Sequence, residues 1–180
     1  MKNSLEELKY PIGKYNSDLS IDREQIEKWI LELSSFPARL VSEVQHLNDE
    51  QLDTPYRADG WTIRQVIHHC ADSHMNSFIR FKLALTEDNP TIKPYFEARW
   101  SELVDSKVMP IASSIKIIEG VHSRWTTLLE NLTETELTKT FMHPESGKSY
   151  QLNETIGLYA WHSNHHLAHI VHTKTRLNWQ

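Results

Sequence analysis

The sequence predicts an all-α bundle, and three observations carry that prediction. The 180 residues contain only 5 Gly and 7 Pro, few turn formers for a chain of this length. Alternating apolar and polar runs are scarce, whereas several long stretches place apolar residues at helical spacing. No repeat, low-complexity tract or linker divides the chain, so residues 1–180 read as one domain.

Residues 1–21 read as an extended arm, because Tyr10-Pro-Ile-Gly-Lys-Tyr15 mixes Pro and Gly with apolar side chains that call for a packing partner. The first long helix spans about 22–47. Asp22 with Gln25 caps it, and Ile26, Trp29, Ile30, Leu33, Leu40, Val41 and Val44 form its apolar stripe. Pro37 falls inside that stripe and predicts a kink or break. A connection over 48–60 with one helical turn at 50–52 leads into the second helix, 61–85. Thr62 and Gln65 make a capping box there, and Asn89-Pro90 stops the helix. Its core stripe is Ile63, Ile67, Cys70, His74, Phe78, Phe81 and Leu85, with a polar line of Thr62, His69, Ser73, Asn76 and Arg80 beside it. His68 faces elsewhere.

The stretch 89–110 is a long crossover held by the aromatic anchors Tyr95, Phe96 and Trp100. The third helix, 112–131, buries Ile115, Ile118, Val121, Trp125, Leu128 and Leu129, with His122 at its boundary. A short turn at 133–136 and a loop or irregular hairpin at 141–150 precede the fourth helix, which Asn153 caps and which ends near Arg176.

Composition narrows the function. A net charge of −5 leaves no electrostatic footprint for nucleic acid, and no basic run suggests a membrane surface. No apolar run is long enough to span a bilayer, and the N-terminal residues lack the apolar centre of a signal peptide. The single cysteine, Cys70, reads as a core residue and fits a reducing compartment, so a cytoplasmic location is expected.

The fourth helix carries the chemistry. Five of the 11 histidines lie within Trp161–His172. At roughly 100° per residue, His162, His166 and His169 fall within about 60° of one another, and imidazoles at i and i+4 can converge on one metal ion. His165 with His169 or with His172 is an equally spaced alternative, and spacing does not choose among the pairs. The bland reading is a set of solvated or pH-sensing rings. Five in twelve weighs against it, because His is a mediocre helix former. A catalytic site takes about three protein ligands, and His69 on the polar line of the second helix can supply the third from a facing helix.

The arm Tyr10–Tyr15, Gln51-Leu-Asp-Thr-Pro-Tyr-Arg57, Gly60-Trp-Thr-Ile-Arg-Gln-Val-Ile-His-His69, Ala71-Asp-Ser-His-Met-Asn76, Arg80-Phe-Lys82, Gly157-Leu-Tyr-Ala-Trp-His162 and His165-His-Leu-Ala-His-Ile170 together resemble the DinB/YfiT family over nearly the whole chain. The resemblance implies a four-helix bundle that holds one divalent ion, zinc or nickel, through His69, His162 and His166. It also implies a homodimer, and either a metal-dependent hydrolase or a thiol S-transferase using bacillithiol or a similar small thiol. Ser163 stands where H-E-x-x-H would place its general base, with Glu154 a distant substitute, and this favours thiol activation over hydrolysis. Arg80 is the candidate for the carboxylate of such a thiol. A small-molecule substrate is expected, and a non-catalytic metal-binding stress protein is the remaining alternative.

Overall fold

The computed structural model describes residues 4–16 and 21–179. A short helix α1 (Leu5–Lys9) comes first, capped by Ser4. There follow α2 (Arg23–Val44), α3 (Asp49–Leu52), α4 (Ile63–Thr86), α5 (Glu97–Trp100), α6 (Val104–Val108), α7 (Ala112–Glu130) and α8 (Glu134–Leu137). Strands β1 (Thr140–His143) and β2 (Lys148–Gln151) lead into α9 (Leu152–Arg176). The four long helices make the bundle: α2 packs on α9 and α7, and α4 packs on the same two. The fold is the expected all-α bundle with its long crossover between the second and third long helices. No helix among the described residues is long and apolar enough to cross a membrane.

Local signals set the helix starts. Asp22 accepts from Gln25 N at 2.8 Å, and Thr62 and Gln65 close a reciprocal capping box, each satisfying amides that a helix start leaves open. The α9 cap differs from expectation. Asn153 lies inside the helix, and Glu154 reaches back 3.2 Å to the Gln151 amide. Glu154 is exposed and spends one carboxylate oxygen on that cap, two turns before His162. Pro37 is also tolerated within a continuous α2, at the cost of one helical hydrogen bond that its missing N–H cannot make.

The arm departs from the extended expectation. Its first described segment is helical, and Pro11–Tyr15 then lies along α9, where Trp161 Nε1 donates to Gly13 O (3.3 Å) and the Tyr15 hydroxyl to Glu154 O (3.2 Å). Residues 1–3 and 17–20 of the predicted arm lie outside the described residues. In the crossover, Tyr95 and Trp100 pack on each other (4.6 Å), while Phe96 is 61% exposed with the Arg99 guanidinium 4.7 Å from its ring. The crossover is bolted to α4 by Arg64, only 4% exposed, which reaches Met109 O (3.0 Å) as well as Asp53 and Asp49. The predicted irregular hairpin is a regular antiparallel pair, Thr140 opposite Gln151 through His143 opposite Lys148. It docks on the crossover through Met142 N to Pro90 O and Ile92 N to Met142 O.

Gly157 sets the distance between α2 and α9, since a Cβ there would stand 2.8 Å from the Trp29 ring. The floor of the bundle is Trp125, fully buried and edge-on to both Phe81 (5.2 Å) and Tyr159 (5.4 Å). Trp125→Ala is expected to lower the unfolding free energy by about 3–5 kcal/mol, read from urea denaturation of the metal-free protein. A change under about 1 kcal/mol would show that the neighbouring rings collapse into the space.

Candidate metal centre

Helix periodicity brings the three expected histidines together. His162 and His166 lie one turn apart on α9, and His69 projects from the facing turn of α4. The three donor nitrogens fall within 4.8 Å of one another. His69 Nε2 and His162 Nε2 are 3.2 Å apart. Two imidazoles bound to one tetrahedral ion at about 2.0–2.1 Å have nitrogens about 3.3–3.4 Å apart, so this pair already stands at nearly the spacing an ion imposes. The ring centroids of His69 and His166 are 4.8 Å apart, and those of His162 and His166 4.5 Å. Trp61 packs on the outer side of His69 at 4.7 Å.

A second group, His165, His166 and His169, also clusters closely enough to hold an ion. The two groups share His166. His169 Nε2 lies 3.1 Å from Lys9 O, and its Nδ1 stands 3.4 Å from His166 Nδ1, a separation that a hydrogen bond and a shared ion both fit. His165 is stacked on Trp161 (4.5 Å, 19°). His165 Nδ1 is buried without a hydrogen-bond partner, and with His166 Nδ1 facing His169, His166 Nε2 is the nitrogen left for His69 and His162. His172 is exposed and joins neither group.

Burial keeps these rings neutral. His69 is pushed down to about 4 by burial and then by nearby His165. His162 and His166 are held well below the usual histidine range by burial and by the rings around them. Neutral imidazoles are the form that binds metal, so the cluster is prepared for a cation without first losing protons. Cys70, one residue from His69, is no competing ligand: it is buried in the core and its thiol is pushed up by burial.

The polar line on α4 divides. Ser73 and Arg80 line a cleft of about 540 Å³ that also has His162, Tyr95, Tyr159 and Arg99 on its wall. Asn76 folds back on its own helix, donating to Asp72 O (2.8 Å), and takes no part. Arg80 Nε is buried without a hydrogen-bond partner. The Tyr159 hydroxyl lies 3.2 Å from Ser73 Oγ. Tyr159 was not singled out in the sequence, although its position three residues before His162 puts it on the same face of α9.

Two buried histidines also exceed their sequence reading. His74, a stripe residue, is fully buried with Nε2 3.0 Å from His162 Nδ1 and Nδ1 2.7 Å from His122 Nε2. His122, read as a boundary residue, is 1% exposed and its Nδ1 lies 2.7 Å from Leu33 O.

Comparison with known proteins agrees with this architecture. Residues 32–170 match the DinB superfamily. A Bacillus mycoides protein named "putative metal-dependent hydrolase" is 53% identical over 97% of this chain and all of its own length, and a Bacillus anthracis protein of the same name is 52% identical over the same shares. The solved structure of YfiT from Bacillus subtilis, described as a probable metal-dependent hydrolase with an unusual four-helix bundle topology, superposes with a TM-score of 0.94 at 50% identity, covering 97% of this chain and 99% of that one. By sequence and by fold, the chain belongs to the DinB superfamily and shares the YfiT four-helix bundle.

Proposed function

We propose that His69, His162 and His166 hold one divalent ion, zinc or nickel, and that the protein uses it to transfer a small thiol of the bacillithiol type to an electrophilic substrate. A divalent ion held by three neutral imidazoles keeps its full charge and acts as a Lewis acid that favours the deprotonated form of a bound nucleophile. The observation that supports thiol transfer is the cleft. Arg80 and Arg99 line the same cleft as His162, together with Glu97 and Glu145, and no carboxylate joins the histidine triad itself among the described residues. An arginine with its Nε unengaged suits a thiol bearing a carboxylate, which it can bind through two parallel hydrogen bonds. The paired hydroxyls of Tyr159 and Ser73 can donate to a leaving group as the new sulfur–carbon bond forms.

Hydrolysis through water is the second reading, and the names of the Bacillus relatives favour it. Zinc-loaded protein incubated with bacillithiol or cysteine and monochlorobimane separates the two. Thiol conjugation that depends on the metal supports transfer, whereas cleavage of ester or amide probes without added thiol supports hydrolysis and ends the transferase reading. With transfer, Arg80→Ala is expected to raise KM for the thiol about tenfold, the worth of one modest charged hydrogen bond, with kcat nearly unchanged. An unaltered KM would remove Arg80 from thiol recognition.

A further inference from the structure

Two strings of buried rings lead away from the candidate centre, and each ends on a carbonyl that its own helix cannot use. Pro37 has no N–H, so the Leu33 carbonyl four residues earlier lacks its normal helical donor. His122 Nδ1 fills that vacancy at 2.7 Å. A carbonyl only accepts, so His122 must carry its proton on Nδ1, and its Nε2 is left as an acceptor. His74 must then donate from Nδ1 across 2.7 Å, which leaves His74 Nε2 as an acceptor in turn. His162 must donate from Nδ1 across 3.0 Å, and its Nε2 lone pair faces His69 Nε2 at 3.2 Å.

The second string is shorter and obeys the same logic. Lys9 is the last residue of α1, where helical carbonyls are left unpaired. Its oxygen accepts from His169 Nε2 at 3.1 Å, so His169 Nδ1 is an acceptor, His166 donates to it from Nδ1 at 3.4 Å, and His166 Nε2 is left free. Neither string includes a carboxylate or a hydroxyl that could reverse its direction. Phe36 packs on both His74 and His122 at 5.3 Å, and Tyr56 stacks on His169 at 4.0 Å, holding the rings in place.

We propose that His74, His122 and His169 are positioning residues that lock His162 and His166 in the Nδ1–H tautomer, so that both present Nε2 lone pairs to the ion. The inference rests on the metal reading above and adds three residues to it, together with Pro37 as the reason Leu33 can anchor the longer string. Outer partners that orient ligating histidines are worth about 10–100-fold in metal affinity.

Proton placement can be read directly. Full-length protein carrying 15N-labelled histidine, zinc-loaded and then chelator-stripped, is examined by long-range 1H–15N correlation. The expected result is His74 and His122 protonated on Nδ1 and His169 on Nε2 in both forms. Zinc competition titrations should show His122→Phe binding about 10–100-fold more weakly than wild type. Phe36→Leu, which disturbs the same packing without touching a hydrogen bond, should lower the thermal midpoint and leave zinc affinity alone. His74 protonated on Nε2, or wild-type zinc affinity in His122→Phe, overturns the proposal. Should His122→Phe fail to fold, the wild-type tautomers decide. A wild type that takes up no zinc overturns the metal reading and this inference together, whereas reversed tautomers in a zinc-binding protein overturn this inference alone.

Discussion

Metal-free protein is expected to lose its fold as the pH falls from 6.5 towards 5. His69, His122 and His165 are each pushed down to about 4, chiefly by burial, and His169 to about 3. Their unfolded counterparts titrate near 6.5. A histidine whose folded pKa is depressed binds fewer protons folded than unfolded between those two values, so stability rises with pH across the window. It is fully present above 6.5 and lost as the pH drops towards the folded value. At pH 5 each such ring removes about 2 kcal/mol, a large share of a domain stability of about 5–15 kcal/mol. Circular dichroism of stripped protein across pH 4–8 tests this. Saturating zinc should move the midpoint to lower pH, because an ion that binds only the folded state stabilises it by mass action. A fold unchanged down to pH 4 would contradict the buried neutral rings.

The second large effect concerns metal content. Untagged protein purified without a nickel column should carry about one equivalent of divalent metal. His69→Ala and His166→Ala should each lower affinity by more than the roughly 10–100-fold that loss of an outer partner gives, which leaves little metal after gel filtration. His165→Ala should keep it, because that ring stacks on Trp161 and lies outside the triad that includes His69. The opposite pattern, with metal lost in His165→Ala and kept in His69→Ala, would move the ion to the second histidine group and detach it from the cleft.

The legible parts of the chain were those governed by short-range rules. The caps at Asp22 and Thr62 need only a neighbour three residues on, and both stand as expected. The i, i+4 spacing on α9 follows from helical geometry, which leaves the choice among its histidines open, and bringing in His69 needed a facing helix. What stayed hidden depends on contacts between distant segments. His74 and His122 sit where periodicity calls for apolar residues, and a histidine in an apolar stripe must find partners for two nitrogens. That signal was present, but its solution required knowing that α2, α4, α7 and α9 meet at one level. Pro37 illustrates the same limit: its local reading is a kink, while its effect here is to release a carbonyl to another helix. The short α1 escaped notice because a single capped turn lacks a periodic stripe, and Asn153 was misplaced because Glu154 caps two residues earlier.

The triad also has a history in time. His69 and His162 stand 93 positions apart in the chain, and His162 and His166 belong to the same late helix. During synthesis His69 is therefore made well before His162 and His166, and a triad that lacks two of its members has little hold on a cation. On the metal reading proposed above, the triad can hold its ion only after α9 has been made and has docked against α4. On that reading metal selection belongs to the finished fold, exposed to whatever free metal the surroundings offer at that moment, and not to the emerging polypeptide.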